Sequence, residues 1–498
     1  MTDATEPLPN DPEELKKIIA LLQARNNFLE EQFRLAQQQR FGASSESHPA
    51  QGDLFNEVEV ALDELDETIE DDSEQVTTVV KKKPVRQKLP KDLPRETIIH
   101  DIDDKICACC GHELHQMGDE RSENLEFIPA QVKVIEHVRL KYSCRTCEKE
   151  NTTTEIQIAP LPSSPIPKSI ATATLLSQII TSKYQYALPL YRQESLFKQY
   201  GIELSRKTMS DWMMKCYALF KPLYQQLQHS LLAQGVIHAD ETPLKVINED
   251  RVTSYMWVYC TGSDSPTQST RPNIVLYDYQ MGSRAGACVV NYLQGFTGYL
   301  QVDGYAGYEK TTAKLAGCWA HARRKFIDAQ KAQPKGKTGK ADLALSFIQK
   351  LYRIESSLKE KTAYEKYQIR QAQAKPILDK FYAWLVKANI VPKSALGIAI
   401  TYSKNQWHKL IRYLDDGNVT IDNNRAERAV KPFVIGRKNW LFCNTSHGAN
   451  ASAMLYSIIE TAKANGLTPF DYIAHCLEQL SSEHVDVEKL LPWHVKLS

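Results

Sequence analysis

The chain has 498 residues, 42% hydrophobic and 24% charged, ordinary for globular protein and too long for one compact core, so roughly three or more domains are expected. Its 61 Lys and Arg nearly balance 60 Asp and Glu, and a formal charge of +1 neither requires nor excludes a polyanionic partner. No run is apolar enough to span a bilayer and the opening M-T-D-A-T-E-P lacks signal-peptide character, so no membrane role is expected and the predicted location is cytoplasmic.

Residues 12–40 read as one helix. Leu15, Leu22 and Leu29 recur every seven residues, and Ile19, Asn26 and Phe33 fill the alternate seam. A polar Asn in such a seam fixes the register of a parallel dimer, so a homo-oligomer through this helix is the preferred reading. The same stripe also suits a single amphipathic helix laid on another domain. Residues 41–94 are polar, charged and poor in aromatics, which predicts a disordered linker. Within it an acidic stretch from Phe55 to Glu74 precedes the basic run K-K-K-P-V-R-Q-K-L-P-K at 81–91, whose charges suit either solvent or a nucleic-acid backbone.

Residues 95–160 carry Cys107-x-x-Cys110, followed by Gly111 and His112, and an answering Cys144-x-x-Cys147. The segment between them, E-F-I-P-A-Q-V-K-V-I-E-H-V-R-L-K-Y, alternates like a β-hairpin. Two such knuckles joined by strands point to one structural Zn2+ held by four thiolates in a domain too small to stabilise itself. Eleven cysteines scattered in pairs through an apparently cytosolic chain favour metal or free thiols over disulfides. Cys109 adds a third thiol to the first knuckle, and His112 and His115 are weaker candidates.

Residues 165–232 read as helical and DNA-binding. L-Y-R-Q-E-S-L-F-K-Q-Y, then G-I-E-L, then S-R-K-T-M-S-D-W has helix–turn–helix grammar, with Gly201 breaking the first helix and Ser205 capping the second. Arg206, Lys207 and Ser210 would lie on the leading turn of a recognition helix; a plain helical hairpin has the same pattern.

From 233 to 330 the pattern changes to α/β. G-V-I-H-A-D-E-T-P-L-K-V, S-Y-M-W-V-Y-C and N-I-V-L-Y-D-Y read as three strands. A helix over Ala285–Leu293, a fourth strand ending at Asp303, a short strand K-L-A-G-C-W and the helix H-A-R-R-K-F-I-D-A-Q follow. That order opens a ribonuclease-H-like fold, in which the first and fourth strands lie side by side and make Asp240 and Asp303 neighbours. Residues 331–414 are polar and helical, an expected insertion. Residues 415–445 complete the core, with Asp422 as a helix N-cap, Glu427 on the first turns and Pro432 ending or kinking that helix. Residues 446–498 read as a C-terminal helical domain.

Three carboxylates reaching one place from distant segments suit divalent metal binding against a phosphodiester. Glu241 would face the other side of its strand as support, and His321 suits either a buried polar partner or substrate. Arg323, Arg324, Arg425, Arg428 and Lys431 surround the acids, as surface charges or phosphate ligands. Arg437, Lys438 and Trp440 suit backbone contact and base stacking.

H-A-D-E-T-P, D-G-Y-A-G-Y, C-W-A-H-A-R-R-K-F, D-N-N-R-A-E-R-A-V-K-P-F-V-I-G-R-K-N-W-L-F and L-Y-S-I-I-E-T-A-K-A-N-G-L resemble the insertion sequence 66 family, bacterial DDE transposases. The similarity spans almost the whole chain, including R-F-G-A-S-S-E, the knuckles and L-P-L-Y-R-Q-E with G-I-E-L-S-R-K-T. One departure is C-A-C-C-G-H where the family has a single spaced pair, so Cys109 competes for a ligand position. The resemblance implies a DDE triad of Asp240, Asp303 and Glu427 holding two Mg2+ ions. It also implies cleavage at element ends and strand transfer into target double-stranded DNA, accessory proteins of the same element, and work at the bacterial nucleoid. A non-catalytic zinc and helix–turn–helix DNA-binding protein, or a structure-selective nuclease, are the alternatives from other classes.

Overall fold

The computed structural model describes residues 11–41, 97, 132–142, 157–160, 162–250, 253–262, 272–280, 282–333, 339–388, 391–482 and 484–497. Residues 42–94 of the expected linker, and Cys107, Cys109, Cys110, His112, His115, Cys144 and Cys147, lie outside them. The chain divides into two compact units, 65–159 and the remainder.

Helix α1 runs over Pro12–Phe41, as the heptads predict. Ile19, Leu22, Leu29 and Phe33 along its seam are exposed in the single chain. In the 65–159 unit, β1 (Lys141–Tyr142) pairs antiparallel with β2 (Gln157–Ile158). The hairpin expected before it is not formed over 132–140. Val132, Val134, Ile135 and Val138 are all exposed, so the alternation there buries no face.

Among the described residues, helices α2 (Ala173–Tyr184), α3 (Leu190–Gln199) and α4 (Arg206–Leu232) lead directly into the larger sheet. Gly201 takes φ +76 at the break between α3 and α4, a conformation that side chains with a Cβ rarely adopt. Ser205 then caps α4, its hydroxyl accepting the Thr208 N–H at 3.1 Å. Both punctuation marks fall where the sequence places them. At 27 residues α4 is far longer than its exposed leading turn, and Trp212, Phe220, Leu223 and Leu227 anchor the rest in the core.

The sheet contains β3 (Val236–Leu244), β4 (Ser254–Cys260), β5 (Val275–Asp278), β6 (Tyr299–Gln301) and β7 (Lys314–Ala316), in spatial order β5-β4-β3-β6-β7. The first three meander antiparallel. Helix α5 (Gly286–Tyr292) returns the chain so that β6 pairs parallel with β3, and β7 parallel with β6. A parallel sheet needs both faces covered, and β3 and β4 accordingly read as near-continuous buried runs.

Helix α6 (Trp319–Lys331) leads into the helical stretch α7 (Lys340–Ser357), α8 (Ala363–Ile369), α9 (Lys375–Lys387) and α10 (Ala395–Leu410), with no strand among its described residues. These helices close a second apolar cluster in which Phe381 packs against Trp319, Phe326 and Trp407. Buried Arg370 closes its far end. Its Nε and Nη2 donate to Glu355 at 2.9 and 2.7 Å, and its Nη1 donates to the carbonyls of Tyr413, Asp416 and Val419. The planar fork thereby fixes the segment that carries the chain back to the sheet.

Helices α11 (Asn424–Trp440), α12 (Ser446–Ala464) and α13 (Pro469–Leu480) finish the chain. Pro432 lies inside α11 and does not end it; the helix runs on to Leu441, which takes a left-handed conformation, φ 65. The C-terminal helices join the same hydrophobic cluster as the sheet. Helix α12 also covers the outer edge of β5: the Tyr277 and Val275 N–H groups donate to the hydroxyls of Ser457 (2.8 Å) and Thr461 (3.1 Å). An otherwise open edge is satisfied without another strand. At Gly436 any Cβ would collide with the Tyr456 hydroxyl, so a glycine is what lets α11 and α12 cross here.

Arg370→Ala should lower stability by about 3 kcal/mol, because it strands half-buried Glu355 and three carbonyls. Urea denaturation followed by circular dichroism measures this, and Arg370→Lys, which keeps charge but loses the fork, should fall between.

Candidate active site

The parallel register of β3 and β6 pairs Val236 with Tyr299, Ile237 with Leu300 and His238 with Gln301. Extended two residues, it sets Asp240 opposite Asp303. Asp240 lies on the central strand of the five, and Asp303 follows just past β6, where its Oδ1 accepts the Tyr305 N–H at 2.9 Å. Glu427, on the first turns of α11, is 3% exposed, and its charge acts on Asp240.

One side chain holds that approach. Asn423 Nδ2 donates to the Ala239 carbonyl at 2.9 Å, and its Oδ1 lies 3.2 Å from His238 Nδ1. Its backbone N–H donates to Cys318 Sγ at 3.2 Å. Asn423 thus ties the start of α11 to β3 beside Asp240 and to the start of α6. It also takes the N-cap position expected for Asp422. Asp422 sits one residue earlier, accepting the Asn424 N–H and the Tyr352 hydroxyl, each at 3.2 Å.

Packing these acids together has an electrostatic consequence. Burial, followed by the charges of Glu241, Asp303 and Glu427, pushes the Asp240 carboxyl well above the usual range. Burial likewise raises Glu427, with Asp422 and Asp303 adding to the rise and Arg324 and Arg428 opposing it. Glu427 Oε1 has no hydrogen-bond partner, nor does His321 Nδ1, 3.6 Å away. Burial and the nearby Arg324 drive the His321 pKa down, so this contact joins a neutral imidazole to a carboxyl group and is not an ion pair.

Glu241 is engaged elsewhere. Arg284 donates to it through Nε and Nη2 at 3.0 and 2.6 Å, and the Tyr308 hydroxyl donates at 2.6 Å. Its supporting role is as expected, although its charge still reaches Asp240. Among the described residues, Cys318, His321 and Glu427 are the His, Cys, Asp and Glu side chains whose ligand atoms lie within 4.8 Å of one another. The three acids therefore neighbour each other without closing round a single point.

Residues 168–451 match the family model described as Transposase IS66 family. The chain belongs to the IS66 transposase family. Residues 104–148 match the zinc-finger binding domain of transposase IS66, 28–98 the Transposase C of IS166 homeodomain, and 457–493 the IS66 C-terminal element. Among curated relatives, the uncharacterized protein y4jD of Sinorhizobium fredii is 33% identical over 99% of this chain and 98% of its own length. The uncharacterized proteins y4hP and y4qI of the same organism are each 31% identical over 89% of this chain, covering 84% and 83% of their own lengths. No solved structure matches the chain. No helix among the described residues is long and apolar enough to cross a membrane.

In this IS66-family chain the basic residues separate into two groups. Arg206 and Lys207 are exposed on the first turn of α4, Arg428 and Lys438 are exposed on α11, and Arg323 and Arg324 are half-buried on α6. Arg425 does not fit a DNA-contacting role. It is buried, and its Nη2 donates to the Thr261 carbonyl at 3.3 Å. Arg437 is half-buried and donates to the Thr242 hydroxyl at 3.2 Å. The Trp440 ring meets Phe433 edge-to-face, 5.5 Å between centroids, and its Nε1 donates to the Tyr456 hydroxyl at 3.4 Å. Asn423 stands in the sequence among the polar residues crowding Glu427, whereas Cys318 and Arg284 carry no individual signal of that kind. A Cys three residues before a His at a helix start was the available signal for Cys318.

Because ionising Asp240 and Glu427 is disfavoured in the folded protein, their charges oppose folding once the unfolded carboxyls have lost their protons. Metal-free protein should lose stability as pH rises from the ordinary carboxyl value of 3.8 toward about 7. Asp240→Asn should remove part of that loss at neutral pH. Denaturation in EDTA at several pH values measures it.

Proposed function

We propose that this transposase cleaves DNA at the ends of its element and joins the freed 3′-hydroxyl to target double-stranded DNA, with Asp240, Asp303 and Glu427 as its DDE triad. The observation that carries this reading is the meeting of three acids from β3, the end of β6 and α11, one of them buried with an unpaired oxygen. The sheet order, with three antiparallel strands, a helix and a fourth strand parallel to the first, supports a ribonuclease-H-like core.

Oxygen donors crowded until their own charges oppose ionisation fit hard divalent cations, and the triad would hold two Mg2+ ions. Bound there, the ions would supply a deprotonated attacking oxygen and charge stabilisation at the leaving oxygen. Asp240, at the sheet centre, would hold them jointly with Asp303 and Glu427. Asn423 keeps Glu427 over Asp240, and Arg324 partly offsets the local negative charge. No Ser or Tyr nucleophile is required.

Around this centre, Arg206, Lys207, Arg323, Arg324, Arg428, Arg437 and Lys438 are the groups available to phosphates, Arg437 only after releasing Thr242. Cys107, Cys110, Cys144 and Cys147 would hold one structural Zn2+ within the zinc-finger region. The uncovered seam of α1 suits pairing with a second copy of the chain. Accessory proteins of the element and work at the bacterial nucleoid complete the proposal.

Asp240→Asn should abolish Mg2+-dependent cleavage and strand transfer, a loss of at least ~10³-fold, while terminal-repeat binding in a gel-shift assay stays within about twofold. Retained strand transfer in that variant contradicts the triad, and loss of binding alone contradicts its catalytic role.

A further inference from the structure

Beside the acids lies a cluster with different donor chemistry. Cys318 stands at the start of α6, and His321 follows one helical turn later, so both face the same side. Glu427 meets them from α11, and one ligand atom of each lies within 4.8 Å of the others. Two of the three donors lack partners: buried Glu427 Oε1 and His321 Nδ1. The third, Cys318 Sγ, accepts the backbone N–H of Asn423 at 3.2 Å, an outer contact of the kind that orients a metal-bound thiolate. One sulfur, one imidazole nitrogen and one carboxylate oxygen suit Zn2+, whereas Mg2+ prefers an all-oxygen set.

We propose that Cys318, His321 and Glu427 form a second cation site, selective for a thiolate-preferring divalent ion such as Zn2+ and separate from the cysteines of the zinc-finger region. On binding, Cys318 releases its thiol proton to solvent and forms the metal–sulfur bond, while His321 donates a ring lone pair and Glu427 a carboxylate oxygen. No electron is transferred, and three protein ligands leave a fourth position open. Cys318 is buried, so the ion enters past His321, whose side chain is 24% exposed. Sharing Glu427 makes this site regulatory if the proposed triad is right: Zn2+ held here withdraws Glu427 from Asp240 and Asp303 and opposes the Mg2+-dependent reaction.

The test is zinc content per chain, measured by plasma mass spectrometry on full-length protein loaded with Zn2+ and dialysed. Wild type should carry about one more zinc than either Cys318→Ser or His321→Ala, and Asp240→Asn should match wild type. The zinc-finger cysteines are common to all four proteins, so the difference isolates this cluster. Should Cys318→Ser fail to fold, His321→Ala at a partly exposed position, checked by an unchanged melting temperature, decides alone. Equal zinc in wild type and folded His321→Ala overturns the proposal, as does loss of the same zinc in Asp240→Asn, which would move the ion to the acids. Zinc content is read without DNA, so failure here leaves the strand-transfer reading standing, and the reverse also holds.

Discussion

Parallel pairing of β3 with β6 governs the position of the acids, because it sets the middle of β3 beside the end of β6 with an acid two residues past the last bonded pair on each. A parallel pair cannot form across a tight turn, so the chain between them must run out through β4, β5 and α5 before returning. That detour supplies the antiparallel half of the sheet and the apolar wall beneath the acids. Asn423 transfers the register to the third carboxylate by tying the start of α11 to the backbone of β3 one residue before Asp240. A shift of one residue in either pairing would turn an acid to the opposite face.

The helical stretch between α6 and α11 fits this scheme. It delays Glu427 along the chain, yet both its ends are fastened to the sheet. Lys409 forms an ion pair of 2.8 Å with Glu309 beyond Asp303, and the Gly317 and Trp319 N–H groups donate to the Lys409 and Ile421 carbonyls. Arg370 fixes the outgoing segment by five hydrogen bonds. Long insertions of this kind cost little entropy when their ends are held close. The insertion can therefore vary without moving the acids.

Much of this core was legible from residues alone. β-branched and aromatic runs bounded by polar turns marked β3 to β5, and the short strand before Asp303 followed from its position after a helix. Gly201 and Ser205 announced their turn through backbone chemistry that no other packing overrides. What failed was the direction of side chains on helices. Arg425 reads as a phosphate ligand by charge, but it sits four residues before Ala429 and eight before Phe433, on the stripe that α11 buries. Pro432, expected to end or kink its helix, lies inside α11 and does not end it. The covering of β5 by Ser457 and Thr461 was invisible because hydroxyls on a helix give no periodic signal.

Crowded acids cost stability in a metal-free protein, and evolution retains such cost where function depends on it. The account therefore stands or falls on where a divalent ion binds. Crystals soaked in Mn2+, examined by anomalous scattering, provide the most direct measurement. The account predicts manganese peaks between Asp240, Asp303 and Glu427, with those carboxylate oxygens drawn in as ligands at about 2.0–2.3 Å. Manganese found only at surface acids, with the three carboxylates unmoved, would contradict it.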